Sequence, residues 1–280
     1  MSLAVFLLIV GSFLSEQAIS MKKKLKNELD HYQLSLLTVS AIAIFSAISV
    51  IISGHFEISR TPISIFLLIF QIIAGVFYYP IVNKAIHHAE RSTFSILGCI
   101  VLPIILVSDI ILGYGVNEMK IVGVGIIAVI LCYILGKKEI SLKGIKYIMT
   151  ANLIYMGMII AFKYTTYHFM STEMANFLIT APVALFFVPI VLIRKGIQGI
   201  KQTFRAKYLA IGGLYGIGGV LIAESYKTMI ASMVMLFKQF FAMIFGLINA
   251  RMLFHEKKLT KKILLAISMA IGIILMCLGV

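Results

Sequence analysis

Apolar residues run along this chain in ten long blocks, and most of the charged residues fall in the gaps between them. The blocks cover residues 2–20, 33–53, 63–83, 92–113, 119–136, 146–166, 173–193, 207–227, 229–252 and 262–280. At 1.5 Å rise per residue, about 20 apolar residues cross a ~30 Å hydrocarbon core, so each block predicts a transmembrane helix. Ten such helices take up most of the 280 residues and leave no room for a soluble catalytic domain. The pattern therefore predicts an all-α membrane protein. The first block carries Glu16 and is followed, not preceded, by lysines, which reads as a retained helix and not as a cleaved signal peptide.

Composition sharpens this picture. Hydrophobic residues make up 61% of the chain, against roughly 45–50% apolar residues in soluble domains. The formal net charge is +14 although only 13% of residues are charged, so the position of the charge matters more than its size. Lys22, Lys23, Lys24 and Lys26 open a set of alternate connections that together hold twenty Lys and Arg. The opposite set holds three, Arg60, Lys120 and Lys227. The positive-inside rule then places the basic connections in the cytoplasm and both termini outside a cytoplasmic (inner) membrane. Cations beside membrane ends face lipid headgroups, and no solvated basic face is left for nucleic acid. The cysteines, Cys99, Cys132 and Cys277, lie inside apolar blocks as small hydrophobes, and the histidines are scattered. No disulfide, metal or other cofactor is expected.

Five blocks per half suggests an internal duplication, with one five-helix repeat over 1–140 and a second over 141–280. An offset of 143 pairs Lys84 with Lys227, Phe94 with Phe237 and Gly136 with Gly279. An odd number of spans forces the repeats to be inverted in the membrane. That is a common plan of secondary transporters, whose substrate lies near the midplane between the halves.

Two stretches carry a family likeness. One runs from Tyr78 to Gly136, through YYPIVNKAIHHAERS, a span with Pro103 inside it, and KIVGVGIIAVILCYILG. The other is the final INARMLFHEKKLTKKILLAISMAIGIILMCLG, a span ending in an acidic residue (Glu256), a polar turn and a Gly-ending last span. In these the chain resembles the drug/metabolite transporter superfamily in its ten-helix EamA-like form. The first half has Gly113 where the second has Glu256. Many family members hold both termini in the cytoplasm, opposite to the charge count. The resemblance implies an exporter of small metabolites or drugs, with a central cavity lined by spans 1, 3, 4, 6, 8 and 9.

Charge at a helix centre costs about 2.5–3.5 kcal/mol on insertion scales, so ionisable residues within spans are candidates for function. Lys238 lies deep in the ninth span, and its depth matches that of Glu224, so the two are expected to pair, with Gln239 beside them. The alternative partner for Glu224 is Lys227, one turn later. Glu16 resembles the carboxylate of the small multidrug resistance branch, which alternates between proton and cationic substrate. Its alternative is an interfacial pair with Lys22 to Lys24. Lys163 sits near the outer end of the sixth span, with snorkelling as its alternative. Tyr78 and Tyr79 precede Pro80, whose kink would free a carbonyl near two phenol rings. Asn83 and Tyr155 are further polar groups that touch either substrate or a neighbouring helix. Gly212 and Gly216 form a small-xxx-small pair for close helix contact.

The leading reading is a secondary transporter of a small organic solute, perhaps amino-acid-like, with protons as the candidate coupling ion. Its partners are the solute and the bilayer, and it acts as a monomer or homodimer. No Walker motif is present. An enzyme would need a nucleophile with its base, or a metal set, at membrane depth, and none is expected. The remaining alternative is an accessory or structural subunit without transport activity.

Overall fold

The computed structural model describes residues 2–56, 58–111, 117–137, 144–229, 231–256 and 259–278. Within them the chain forms α1 (Ser2–Lys24), α2 (His31–Ser53), α3 (Pro62–His88), α4 (Arg91–Gly98), α5 (Val101–Ile111) and α6 (Glu118–Lys137). It continues as α7 (Ile145–His168), α8 (Thr172–Thr203), α9 (Ala206–Ser225), α10 (Ala231–Met252) and α11 (Leu259–Leu278). Among the described residues, nine helices are long and apolar enough to cross a bilayer. The fold is a helical, multi-pass membrane protein.

The helix starts follow local chemistry. Asp30 caps α2 by accepting from the backbone of Tyr32 and Gln33 at 2.9 Å, while Gln33 Oε1 accepts from Asp30 N at 3.1 Å. This reciprocal box satisfies donors that an open helix end would leave bare. Gln33 Nε2 also donates to the Gly199 carbonyl at 3.1 Å, which ties α2 to the end of α8. Thr61 caps α3, with Pro62 in the first turn, where a missing N–H costs nothing. α8 is longer than its apolar block because it continues past Gly196, at φ 64°, into a polar tail. That φ is a left-handed value that favours glycine.

The fourth block departs from expectation. One helix over 92–113 is predicted, but α4 and α5 are separated at Cys99 and Ile100. Pro103 has no N–H to donate to the Cys99 carbonyl, its normal i−4 partner. That carbonyl accepts instead from Leu102 N at 3.0 Å, an i−3 bond that tightens the chain. Gly113 of the degraded acidic turn lies outside the described residues.

The core is largely apolar, but so is much of the outer surface, and several charged groups are buried. Ile193 is 85% and Ile52 81% exposed, whereas Arg91 and Lys22 are each 1% exposed. Apolar side chains face outward as lipid requires, and polar ones turn inward. The most extensive helix pairs are α2 with α8, α1 with α9, α6 with α11 and α3 with α7. α9 and α10, consecutive in sequence, scarcely touch.

Gly212 and Gly216 do face α2 as expected: a Cβ on Gly216 would lie 2.9 Å from the Ala41 carbonyl oxygen. An unforeseen contact is closer to the site. Gly218 of α9 meets α1, and a Cβ there would lie 2.7 Å from the Gly11 carbonyl oxygen and 2.5 Å from Ser15 Oγ. Gly218→Ala is therefore expected to lower stability by about 1–3 kcal/mol through overpacking. Gly213→Ala, with nothing within 4 Å, is the matched control. Thermal melts of both variants in detergent check this; equal melting temperatures would refute the close contact.

Candidate functional site

A cavity of about 210 Å³ lies between the helices, lined from α1, α2, α3, α4, α7, α8, α9 and α10. The family resemblance implies six of these. The structure adds α2, through Thr38 and Ile42, and α8, through Asn176 and Thr180. The cavity volume is well above the roughly 10–15 Å³ of such space that a single water needs, and of the order of an engineered cavity of about 150 Å³ that admits benzene. Glu16, Tyr78, Tyr79, Asn83, Tyr155, Lys238 and Gln239 all line it.

Glu16 does not pair with the lysines at the end of its own helix. Its carboxylate meets the Arg91 guanidinium from α4 in a buried ion pair. Arg91 Nε also donates to Ser20 Oγ at 3.1 Å, and one of its terminal nitrogens to Ser95 Oγ at 3.0 Å. Asn249 of α10 donates to the same Ser20 Oγ at 3.0 Å. One network thus joins α1, α4 and α10. Gly246 makes room for it, since a Cβ there would lie 1.9 Å from Ser95 Oγ. Helix geometry separates Glu16 from those lysines: Ser20 shares its face, Lys22 lies about 120° round the helix, and Lys23, on the same face, is about 10 Å further along the axis.

Lys238 does not pair with Glu224 either. Its ammonium donates to the Tyr155 hydroxyl and stands 4.2 Å from the centre of the same ring. No carboxylate among the described residues pairs with it. Matching depth was not sufficient, because α9 packs on α1 and α2 and scarcely touches α10. Glu224 instead pairs with Lys227 at 2.7 Å, as i,i+3 neighbours do.

Tyr155 stacks on Tyr78 with ring centres 5.3 Å apart, and Tyr78 meets Tyr79 edge-on at 5.2 Å. Tyr78 and Tyr215 pack on the same apolar cluster of Ile19, Val82 and Ile86. Above the Tyr215 ring, 3.6 Å from its centre, stands the Lys22 ammonium. Lys22 also lines the cavity, so it is not a headgroup cation. Asn83 donates to Ser35 Oγ at 3.0 Å. Its carbonyl oxygen, with Ser12 Oγ and Tyr226 Oη, is buried without a hydrogen-bond partner among the described residues, and all three residues line the cavity. Buried polar atoms are nearly always satisfied, so these are places for water or solute.

Lys163 and Glu224 lie outside the cavity, in a latch at the less basic end. Lys163 Nζ donates to the Tyr226 carbonyl at 2.7 Å and to that of Met229 at 3.3 Å, which satisfies carbonyls beyond the end of α9. Lys227 bridges Glu173 at 2.6 Å and Glu224. Partial burial alone would pull the Lys227 ammonium below the ordinary lysine value; its hydrogen bonds to Glu173 and Glu224 overcome this and leave it above.

The basic end has its own latch. Glu256 accepts from the backbone of Arg91 at 2.6 Å and from the Ser92 hydroxyl, capping α4, whose own N-cap residue Glu90 makes no such bond. Lys262 joins Glu90, Ser92 and Glu256 at 2.5, 2.7 and 3.3 Å. Nearby, Lys207 and Tyr208 hydrogen-bond Glu28 and hold its carboxyl below the usual range.

Sequence reasoning missed Arg91, Lys22 and Tyr215. Lys22 and Arg91 stand at helix ends, where cations ordinarily face headgroups, and nothing local to them in the sequence marks them as lining residues. Apolar-faced helices around a hollow that carries ionisable side chains define the class: a multi-pass membrane protein with an internal cavity. No family model matches this chain, and no curated protein matches it in sequence.

Proposed function

We propose that this protein is a secondary transporter, carrying a small organic metabolite by alternating access between two inverted five-helix repeats, 1–140 and 141–280. The observation that carries the reading is the cavity between the halves, mostly apolar but set with ionisable and hydroxyl groups, with a separate polar latch at each end. The helix pairing is symmetric between the halves, as a duplication requires, and the odd number of spans per repeat then implies the inversion. Exchanging the halves turns α1 against α9 into α7 against α3, and α2 against α9 into α8 against α3. The pairs α2 with α8, α4 with α10 and α6 with α11 map onto themselves. This accords with the EamA-like resemblance, which favours export. The charge asymmetry favours basic connections in the cytoplasm and both termini outside the cytoplasmic membrane.

A role for Glu16 as proton carrier fits less well. Protonating it would leave the Arg91 guanidinium buried without its counterion, which is costly.

The experiment locks the latch at the less basic end. Cysteines replace Glu173 and Lys227 in a chain whose native cysteines are serine, and a short cleavable bis-maleimide joins them. Metabolite pools are then compared in cells expressing wild-type and locked protein. Alternating access predicts that wild type shifts the pool of at least one small solute, that cross-linking abolishes the shift, and that cleaving the linker restores it. Pools indifferent to both expression and cross-linking would favour the accessory-subunit reading.

A further inference from the structure

The charge inside the cavity points to a class of substrate. Three lining side chains carry charge: Glu16, Lys22 and Lys238. The carboxylate is spent on Arg91, which is itself 1% exposed. Both ammonium groups are left without a carboxylate among the described residues, each resting on a tyrosine ring. Counting Arg91 with Glu16, the hollow holds two amines that no carboxylate among the described residues offsets. Their charge in a low dielectric is costly, and a ring face returns only about 0.5–2 kcal/mol. An anionic ligand supplies the missing counterion, and desolvated ammonium–anion hydrogen bonds are among the stronger ones available.

The two ammonium groups stand at different levels. The Asn249–Ser20 hydrogen bond sets α1 and α10 side by side. Lys22 lies two residues beyond Ser20 toward the basic end, and Lys238 eleven residues before Asn249. At 1.5 Å per residue, the two backbones are roughly 20 Å apart in depth. One lysine therefore serves the middle of the cavity and the other its basic end.

We propose that the cavity takes a small organic anion, a carboxylate or a phosphate ester, with Lys238 and Lys22 as successive counter-ions along its path. The unpartnered Ser12 and Tyr226 hydroxyls are free to donate to such an anion. A zwitterionic amino acid fits less well, because its ammonium would find the one lining carboxylate already taken. Only the word path rests on the transporter reading; the binding chemistry stands apart from it.

The test uses the full chain in lipid nanodiscs with probes of similar shape and different charge: phenylacetate, phenyl phosphate, phenylacetamide and phenethylamine. Thermal melting is read against probe concentration. One or both anions are expected to raise the melting temperature, with the amide and amine inert; which anion does so separates carboxylate from phosphate ester. Lys238→Gln and Lys22→Gln are each expected to weaken the anion's apparent Kd about tenfold, with Lys238→Arg close to wild type. Stabilisation by the amine alone, by no anion, or by anions equally in both glutamine variants would overturn the assignment. Should Lys22→Gln fail to fold, Lys238→Gln against Lys238→Arg decides. Anion binding in vesicles that show no exchange would sink the transporter and leave this site. Exchange of a cation without anion binding would do the reverse.

Discussion

Arg91→Met is expected to cost about 3–5 kcal/mol, the range for breaking one side of a buried ion pair. The guanidinium is the partner of Glu16, and it also donates to Ser20 and Ser95. Methionine fills the space but leaves the Glu16 carboxylate buried, 4% exposed, without a counterion. The helix cap survives, because Glu256 holds the backbone N–H of residue 91, not its side chain. The loss should therefore appear as reduced melting temperature and poor recovery of monodisperse protein from detergent. Glu16→Gln combined with Arg91→Met removes both charges and should recover most of it. A double variant as unstable as Arg91→Met alone would show that Arg91 acts through packing and not through charge.

Lys238→Ala is expected to have the opposite profile: loss of transport in a protein that folds as well as wild type. The lysine holds no carboxylate in place, so its removal strands no charge. It takes away a costly ammonium and leaves a tyrosine hydroxyl facing a wet cavity. We expect a melting temperature equal to or above that of wild type, and flux of the transported solute in proteoliposomes reduced to background. Arg251→Ala, at an exposed position, is the control and should transport normally. Wild-type flux in Lys238→Ala would remove Lys238 from the site.

Stability and transport are thus expected to fall on two different sets of charges, and only part of that division is legible in the sequence. Seven of the nine candidate residues line the cavity, since a polar side chain within a lipid-length apolar block has few places to go except inward. Their partners were another matter. Glu224 was matched to Lys238 by depth alone, yet helices adjacent in sequence proved not to be adjacent in packing, and Glu224 closed on Lys227. Lys163 lies outside the cavity, where the carbonyls of Tyr226 and Met229, presented by a neighbouring chain segment, hold it at the latch.

Hydropathy is a local sum along the backbone, so the apolar blocks could set the number, length and approximate ends of the helices without reference to any neighbour. Pro103 lies within reach of the same local argument, although a proline inside an apolar block signals a bend as readily as the break it makes at Cys99. Facing direction and partnership are not local. Lys22 and Arg91 sit at helix ends, where a long cationic side chain reaches headgroups or the interior equally well. Only the packing of α1 on α9 and of α4 on α10 turned both of them inward, one onto Tyr215 and the other onto Glu16.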